Sequence, residues 1–195
     1  ELEALSREKI EETLPKALEI KNKNTSALFD YTSPLVKEMV WELKYGGNRK
    51  IAKKFGEILY NHIENDLKKN PEPLNSRVLL IPIPISGKRR FERGWNQSEL
   101  IAEQVVAQDF KKLFKYLPGQ LIKTHHTESQ TTTASRAERE RNLKNSMKII
   151  NPSSVEGEFV VVLDDVTTTG STFAEAERAL RACGAKKILF YALAH

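Results

Sequence analysis

The sequence predicts an α/β fold in which a mainly parallel sheet is flanked by helices. Two observations lead there. Short apolar runs at 78–81 and 159–163 read as strands buried on both faces, and 187–193 reads as a further strand. Segments with apolar residues at helical spacing alternate with those runs, and that alternation is the pattern of a parallel sheet with crossover helices. Hydrophobic residues make up 39% and charged residues 29% of the 195, the balance of a soluble globular chain large enough for a real core.

In chain order, residues 1–24 are lysine-rich and broken at Pro15, and read as a peripheral helix and linker. Residues 25–195 read as the domain proper. A helix follows Pro34, with Leu35, Met39 and Leu43 recurring at helical spacing beside Val36 and Val40, and Gly46-Gly47 stops it. A second helix spans 48–69 and turns Ile51, Phe55, Ile58, Leu59 and Ile63 inward. Pro71 and Pro73 mark a loop before the first buried strand at 77–83. The basic stretch 86–94 reads as a loop. Asn96 with Glu99 resembles a capping pair, opening a helix that runs to about residue 114.

Residues 124–146 are polar and lack a steady period, so they read as a long loop entering a short helix; a connection of that length is usually functional. A short strand at 147–150, a buried strand at 159–163, a helix at 172–183 closed by Gly184, and a last strand at 187–193 complete the reading.

Composition narrows the function classes. The net charge of +5 favours anionic partners. No apolar run approaches the ~18–20 residues of a membrane helix, so no membrane insertion is expected. Cys183 is the single cysteine, which excludes a disulfide framework or a cysteine zinc site within these residues and points to a reducing, cytoplasmic setting. His125 and His126 are adjacent without acidic or cysteine ligands at metal spacing, and no protein-held metal site is expected.

The most informative stretch runs from Val160 to Thr172. A buried strand delivers Asp164 and Asp165 to its carboxyl end, the edge at which open α/β sheets bind ligands. Val166, Thr167, Thr168, Thr169, Gly170, Ser171 and Thr172 then turn the chain into a helix. A helix start offers unpaired N–H groups and partial positive charge to a phosphate. Gly170 permits close backbone approach, and the hydroxyls add donors. No lysine stands where a triphosphate loop places one, so the loop suits a monoester phosphate. Carboxylates beside it accept hydrogen bonds from sugar hydroxyls. Phosphate donors next to hydroxyl acceptors describe a ribose 5-phosphate; a helix cap with a solvated neighbour is the plainer alternative.

This strand, acidic pair and Thr/Ser/Gly loop resemble the signature of type I phosphoribosyltransferases. The resemblance narrows to the ComF family through Leu43-Lys44-Tyr45-Gly46, Ile81-Pro82-Ile83-Pro84 and Arg90-Phe91-Glu92-Arg93-Gly94-Trp95-Asn96-Gln97. Thr127-Glu128-Ser129-Gln130 and Arg139-Glu140-Arg141-Asn142 extend it, so that it covers roughly 25–195 in order. It implies a type I phosphoribosyltransferase-like sheet that binds phosphoribosyl pyrophosphate, with Mg²⁺ held mainly through the ligand. In that picture Asp164 and Asp165 are catalytic, 166–172 hold the 5-phosphate, and Ser86, Lys88, Arg90 and Arg93 meet the pyrophosphate. Lys88 and Arg89 would equally serve as a solvated basic face. The 124–146 loop would be a flexible hood carrying Thr127, Gln130, Arg139 and Asn142, and Lys44 is a further candidate, with a snorkelling lysine as its alternative.

The resemblance also implies a link to natural competence, with single-stranded DNA and competence helicase-type proteins as partners. A sensor that binds phosphoribosyl pyrophosphate without turnover is a third reading. Two departures stand out. The four-cysteine zinc ribbon that usually opens ComF proteins is not among these residues, which begin at Glu1; and Lys123 and His125 stand where relatives carry basic residues, usually arginine, with Trp95 where Phe is common.

Overall fold

The computed structural model describes residues 6–69, 77–124 and 145–195. Five parallel strands form the central sheet: β1 (Thr25–Phe29), β2 (Val78–Pro82), β3 (Phe114–Tyr116), β6 (Phe159–Val166) and β7 (Lys187–Ala194), in the order β1-β7-β6-β2-β3. Strand β4 (Leu121–Lys123) pairs antiparallel with β5 (Met147–Ile149) as a separate ribbon.

Alternation along the strands divides the core in two. Leu80, Val161, Leu163, Tyr191 and Leu193 face one side, packed by α1 (Arg7–Thr13), α2 (Pro34–Trp41), α3 (Arg49–Lys68) and α5 (Gln97–Ala107). Leu79, Ile81, Val160, Val162 and Phe190 face the other, under α6 (Ser171–Ala182) and the β4–β5 ribbon. Strands covered on both faces need apolar residues at consecutive positions, which is why these runs stood out in the sequence. The short α1 is docked through Ile10 and Leu14, both in the first core.

Three readings are corrected. The basic stretch after β2 is a helix, α4 (Gly87–Arg93): the Ser86 hydroxyl caps it by accepting from the Arg89 N–H, and Gly94 ends it at φ 82°. It buries no residue, so it shows no apolar period. The helix after Asn96 stops at Ala107, because Asp109 takes the Leu113 and Phe114 amides at 2.9 and 2.8 Å and turns the chain into β3. Asn96 does cap α5 through the Ser98 amide, but Glu99 pairs with Arg90 instead of reaching back. Strands β1, β3 and β4, unread in the sequence, are short.

Two helix details set up the site. The helix α2 runs on into a π-helical turn, Glu42–Gly46, which Gly47 closes at φ 58° with the Trp95 ring packed against it. The Trp95 indole donates to the Leu43 carbonyl at 3.0 Å, tying that turn to the start of α5. Further along, α3 and α5 touch at Gly56, where an added Cβ would stand 2.4 Å from the Gln104 Cβ and 2.9 Å from its carbonyl carbon.

Gly56→Ala is therefore expected to destabilise the fold by about 2 kcal/mol, even though alanine in a helix interior normally gains about 1 kcal/mol over glycine. Chemical denaturation of the variant checks this, and an unchanged or raised midpoint would contradict the packing.

Candidate functional site

The parallel strands all end at one edge, and β6 carries Asp164 and Asp165 to it with 7% and 3% of their surface exposed. Asp164 Oδ1 accepts from the Ser98 hydroxyl at 2.9 Å and from the Asp165 amide at 2.9 Å. Asp165 Oδ1 accepts from Gln97 Nε2 at 3.3 Å, and its Oδ2 lies 2.9 Å from Lys44 Nζ. The first turn of α5 and the π-helical turn thus converge on the pair.

Electrostatics follow from burial. Loss of hydration, reinforced by the Asp165 charge, pushes the Asp164 carboxyl up to about 8. Burial pulls Lys44 down, but the Asp165 and Asp164 charges outweigh it and hold the ammonium above its ordinary range. Lys123, at the end of β4, is pulled below its ordinary value by burial and by Arg89 repulsion, against the pull of Asp164.

Beyond Val166 the loop bends sharply. Thr167 is buried; its amide donates to the Ala194 carbonyl at 2.9 Å, and its own carbonyl accepts from His195 Nδ1 at 3.0 Å. Thr168 and Thr169 are exposed, and Gly170 sits at φ 75°, a left-handed conformation that opens α6. The Thr169 and Ser171 hydroxyls are 2.7 Å apart, and Thr172 is half-buried on the first turn. The loop lines one side of a cavity of about 850 Å³, closed on the other by residues 18–22 and by Phe173 and Glu175. Glu175 also accepts from the Met147 amide at 3.0 Å, fixing the ribbon to α6.

The remaining sequence candidates divide. Ser86 is buried as the α4 cap, whereas Lys88 is exposed. Arg90 is paired with Glu99. The Arg93 guanidinium lies 4.8 Å above the Tyr45 ring and donates to Gln97 Oε1 at 3.3 Å. Thr127, Gln130, Arg139, Asn142, His125 and His126 fall outside the described residues. Ser98 is a site neighbour that sequence reasoning did not single out; Gln97 closes a quoted motif and Lys123 stands at a basic position of the family, but neither was given a role. The helix start Asn96-Gln97-Ser98 was visible, but its direction toward β6 was not.

Two predictions come from this geometry. Lys44 keeps 24% of its side chain in water while Asp165 keeps 5%, so Lys44→Met is expected to cost about 2–3 kcal/mol by stranding a buried charge. Adding Asp165→Asn should recover at least about 1 kcal/mol in a double-mutant cycle, and strict additivity would refute the pairing. For Asp164, the native state binds a proton that the unfolded chain releases at lower pH, so the wild type loses stability as pH rises toward 8. Asp164→Asn is therefore expected to be the more thermostable protein by at least about 3 °C near pH 9, an advantage that vanishes near pH 4. Parallel melting curves across that range check it.

Comparison with known proteins identifies the family. Residues 45–195 match the phosphoribosyl transferase domain family. The DNA utilization protein YhgH of Salmonella typhi is 30% identical over 169 residues, covering 84% of this chain and 68% of its own. Competence protein F of Haemophilus influenzae is 28% identical over 167 residues, covering 84% and 69%. Competence protein ComFC of Bacillus subtilis is 27% identical over 146 residues, covering 75% and 53%. Among solved structures, hypoxanthine phosphoribosyltransferase of Trypanosoma cruzi aligns at 14% identity and a TM-score of 0.45, over 74% of this chain and 64% of that one. The chain belongs to the ComF family of phosphoribosyltransferase-like proteins.

Proposed function

We propose that the protein binds phosphoribosyl pyrophosphate with Mg²⁺ and transfers its phosphoribosyl group to a nucleobase-type acceptor, releasing pyrophosphate. The observation that carries this reading is the pairing, at one sheet edge, of two buried carboxylates with a hydroxyl-rich loop that opens α6. The loop from Thr167 to Thr172 holds the 5-phosphate with backbone amides and hydroxyls. Asp164 and Asp165 take the ribose hydroxyls. Ser86, Lys88, Arg90 and Arg93 lie along α4 for the pyrophosphate, with Lys123 adding positive charge near Asp164 and Arg89 near Lys123.

In the reaction the acceptor nitrogen bonds to C1 of the ribose while the C1–O bond to pyrophosphate breaks. The electron pair leaves with pyrophosphate, and the acceptor proton passes to solvent. What the chain contributes is position and charge: ribose held by carboxylates, leaving group met by guanidinium groups. Among the described residues no cluster of three or more acidic, histidine or cysteine side chains could cage a metal, and both aspartates already have partners. That donor set suits a Mg²⁺ carried on the ligand's own oxygens and water, where it would neutralise pyrophosphate charge.

A second reading is single-strand DNA handling. It is favoured by α4, which exposes Lys88, Arg90 and Phe91 together, and by the competence and DNA-utilization names of the relatives. No helix among the described residues is long and apolar enough to cross a membrane.

Calorimetric titration of phosphoribosyl pyrophosphate, with and without Mg²⁺, tests the first reading. Metal-dependent binding is expected, with loss of at least about a hundredfold in affinity in the Asp164→Asn/Asp165→Asn protein, which should remain folded. No binding to the wild type at millimolar ligand would overturn it in favour of the second.

A further inference from the structure

Lys44 turns inward to Asp165, while the next residue reaches the surface. Tyr45 is 54% exposed and Trp41, one turn earlier, is 56% exposed. Their ring centroids are 5.3 Å apart with planes tilted by 40°, forming a shallow aromatic step. The Arg93 guanidinium lies over the Tyr45 ring at 4.8 Å.

The step is connected to the carboxylates rather than scattered beside them. Arg93 Nη1 donates to Gln97 Oε1 at 3.3 Å, and Gln97 Nε2 donates to Asp165 Oδ1 at 3.3 Å. Asp165 Oδ2 meets Lys44 Nζ at 2.9 Å, and Lys44 is bonded through the backbone to Tyr45. A closed circuit thus runs from the aromatic step through the arginine and glutamine to the carboxylate and back. It spans α2, the π-helical turn, α4, α5 and β6.

Half-exposed aromatic rings next to a guanidinium plane offer flat, polarisable surface to another flat group. A nucleobase supplies a π-face for the rings and ring nitrogens or carbonyl oxygens for the arginine N–H groups; a saturated sugar supplies neither. Single exposed aromatics are ordinary on protein surfaces. Two rings in contact, topped by an arginine that is itself tied to a buried carboxylate, form a built surface.

We propose that Trp41 and Tyr45, with Arg93 laid against them, form a stacking subsite for a nucleobase. Its place beside the reacting ribose rests on the phosphoribosyl reading of Asp164 and Asp165; its stacking chemistry does not. The base comes either free, as the acceptor, or within a single strand of nucleic acid.

The test titrates adenine, guanine and a deoxyadenylate strand of about twelve nucleotides into the wild type, Trp41→Ala and Tyr45→Ala, read by calorimetry. The rings are exposed, so circular dichroism should show both alanine variants folded. At least one probe is expected to bind the wild type and to lose about tenfold in affinity in each alanine variant. Comparable binding of a free base and the strand marks an acceptor base, and binding of the strand alone marks a base held in a chain. The proposal is overturned if no probe binds the wild type at millimolar concentration, or if both alanine variants bind as the wild type does. Wild-type binding of phosphoribosyl pyrophosphate is read in parallel. If it fails while base binding still depends on Trp41, the stacking site stands and the transferase reading falls.

Discussion

Two carboxylates buried side by side lose their hydration and repel each other, and much of the architecture around β6 answers that cost. Asp164 meets it with the Ser98 hydroxyl and an upward-shifted carboxyl, Asp165 with the Lys44 ammonium and the Gln97 amide. These partners come from separate stretches of chain. The start of α5 must point at the strand end, which the Asn96 side chain secures by donating to the Ile83 carbonyl at 2.9 Å while capping its own helix. Lys44 must reach inward, which the π-helical turn and its anchor to Trp95 arrange. Irregular π turns of this kind tend to accompany functional positions.

Such an arrangement is polar where a core would prefer apolar groups, and a well-packed apolar replacement is often at least as stable as a buried ion pair. The cations nearby are likewise engaged: Arg90 with Glu99, Arg93 with Tyr45 and Gln97. An incoming polyanion would trade those contacts for its own.

The strands at the centre of the sheet were legible because burial on both faces forces consecutive apolar residues, as in Val160 to Leu163. The hydroxyl-rich loop after β6 was legible because its residue types sit next to one another in sequence. The failures have physical causes too. The strand β1 is five residues of mixed character whose register depends on β7, so no local period marks it. Helix α4 buries none of its residues, and a helix without an apolar stripe looks like a loop. Lys44, Ser98 and Gln97 meet the aspartates across large sequence separations. Local patterning can nominate Lys44 but cannot show which carboxylate it reaches.

The pairing of β1 with β7 joins stretches that lie far apart in sequence: Thr25 lies beside Phe190, the Tyr31 amide donates to the His195 carbonyl, and the His195 amide donates to the Phe29 carbonyl. A ribosome delivers those partners far apart in time. Until residues 187–194 emerge, β1 has no neighbour in the sheet, and the stretch that leads from it toward Lys44 has nowhere to seat. Contacts between distant segments form late and slowly, and an unpaired strand is exposed to mispairing in the meantime. Any nascent chain cut short before β7 would therefore retain the acidic pair in its sequence yet lack the seam that brings β1 into the sheet, so stalled synthesis yields material for proteolysis instead of a half-working site.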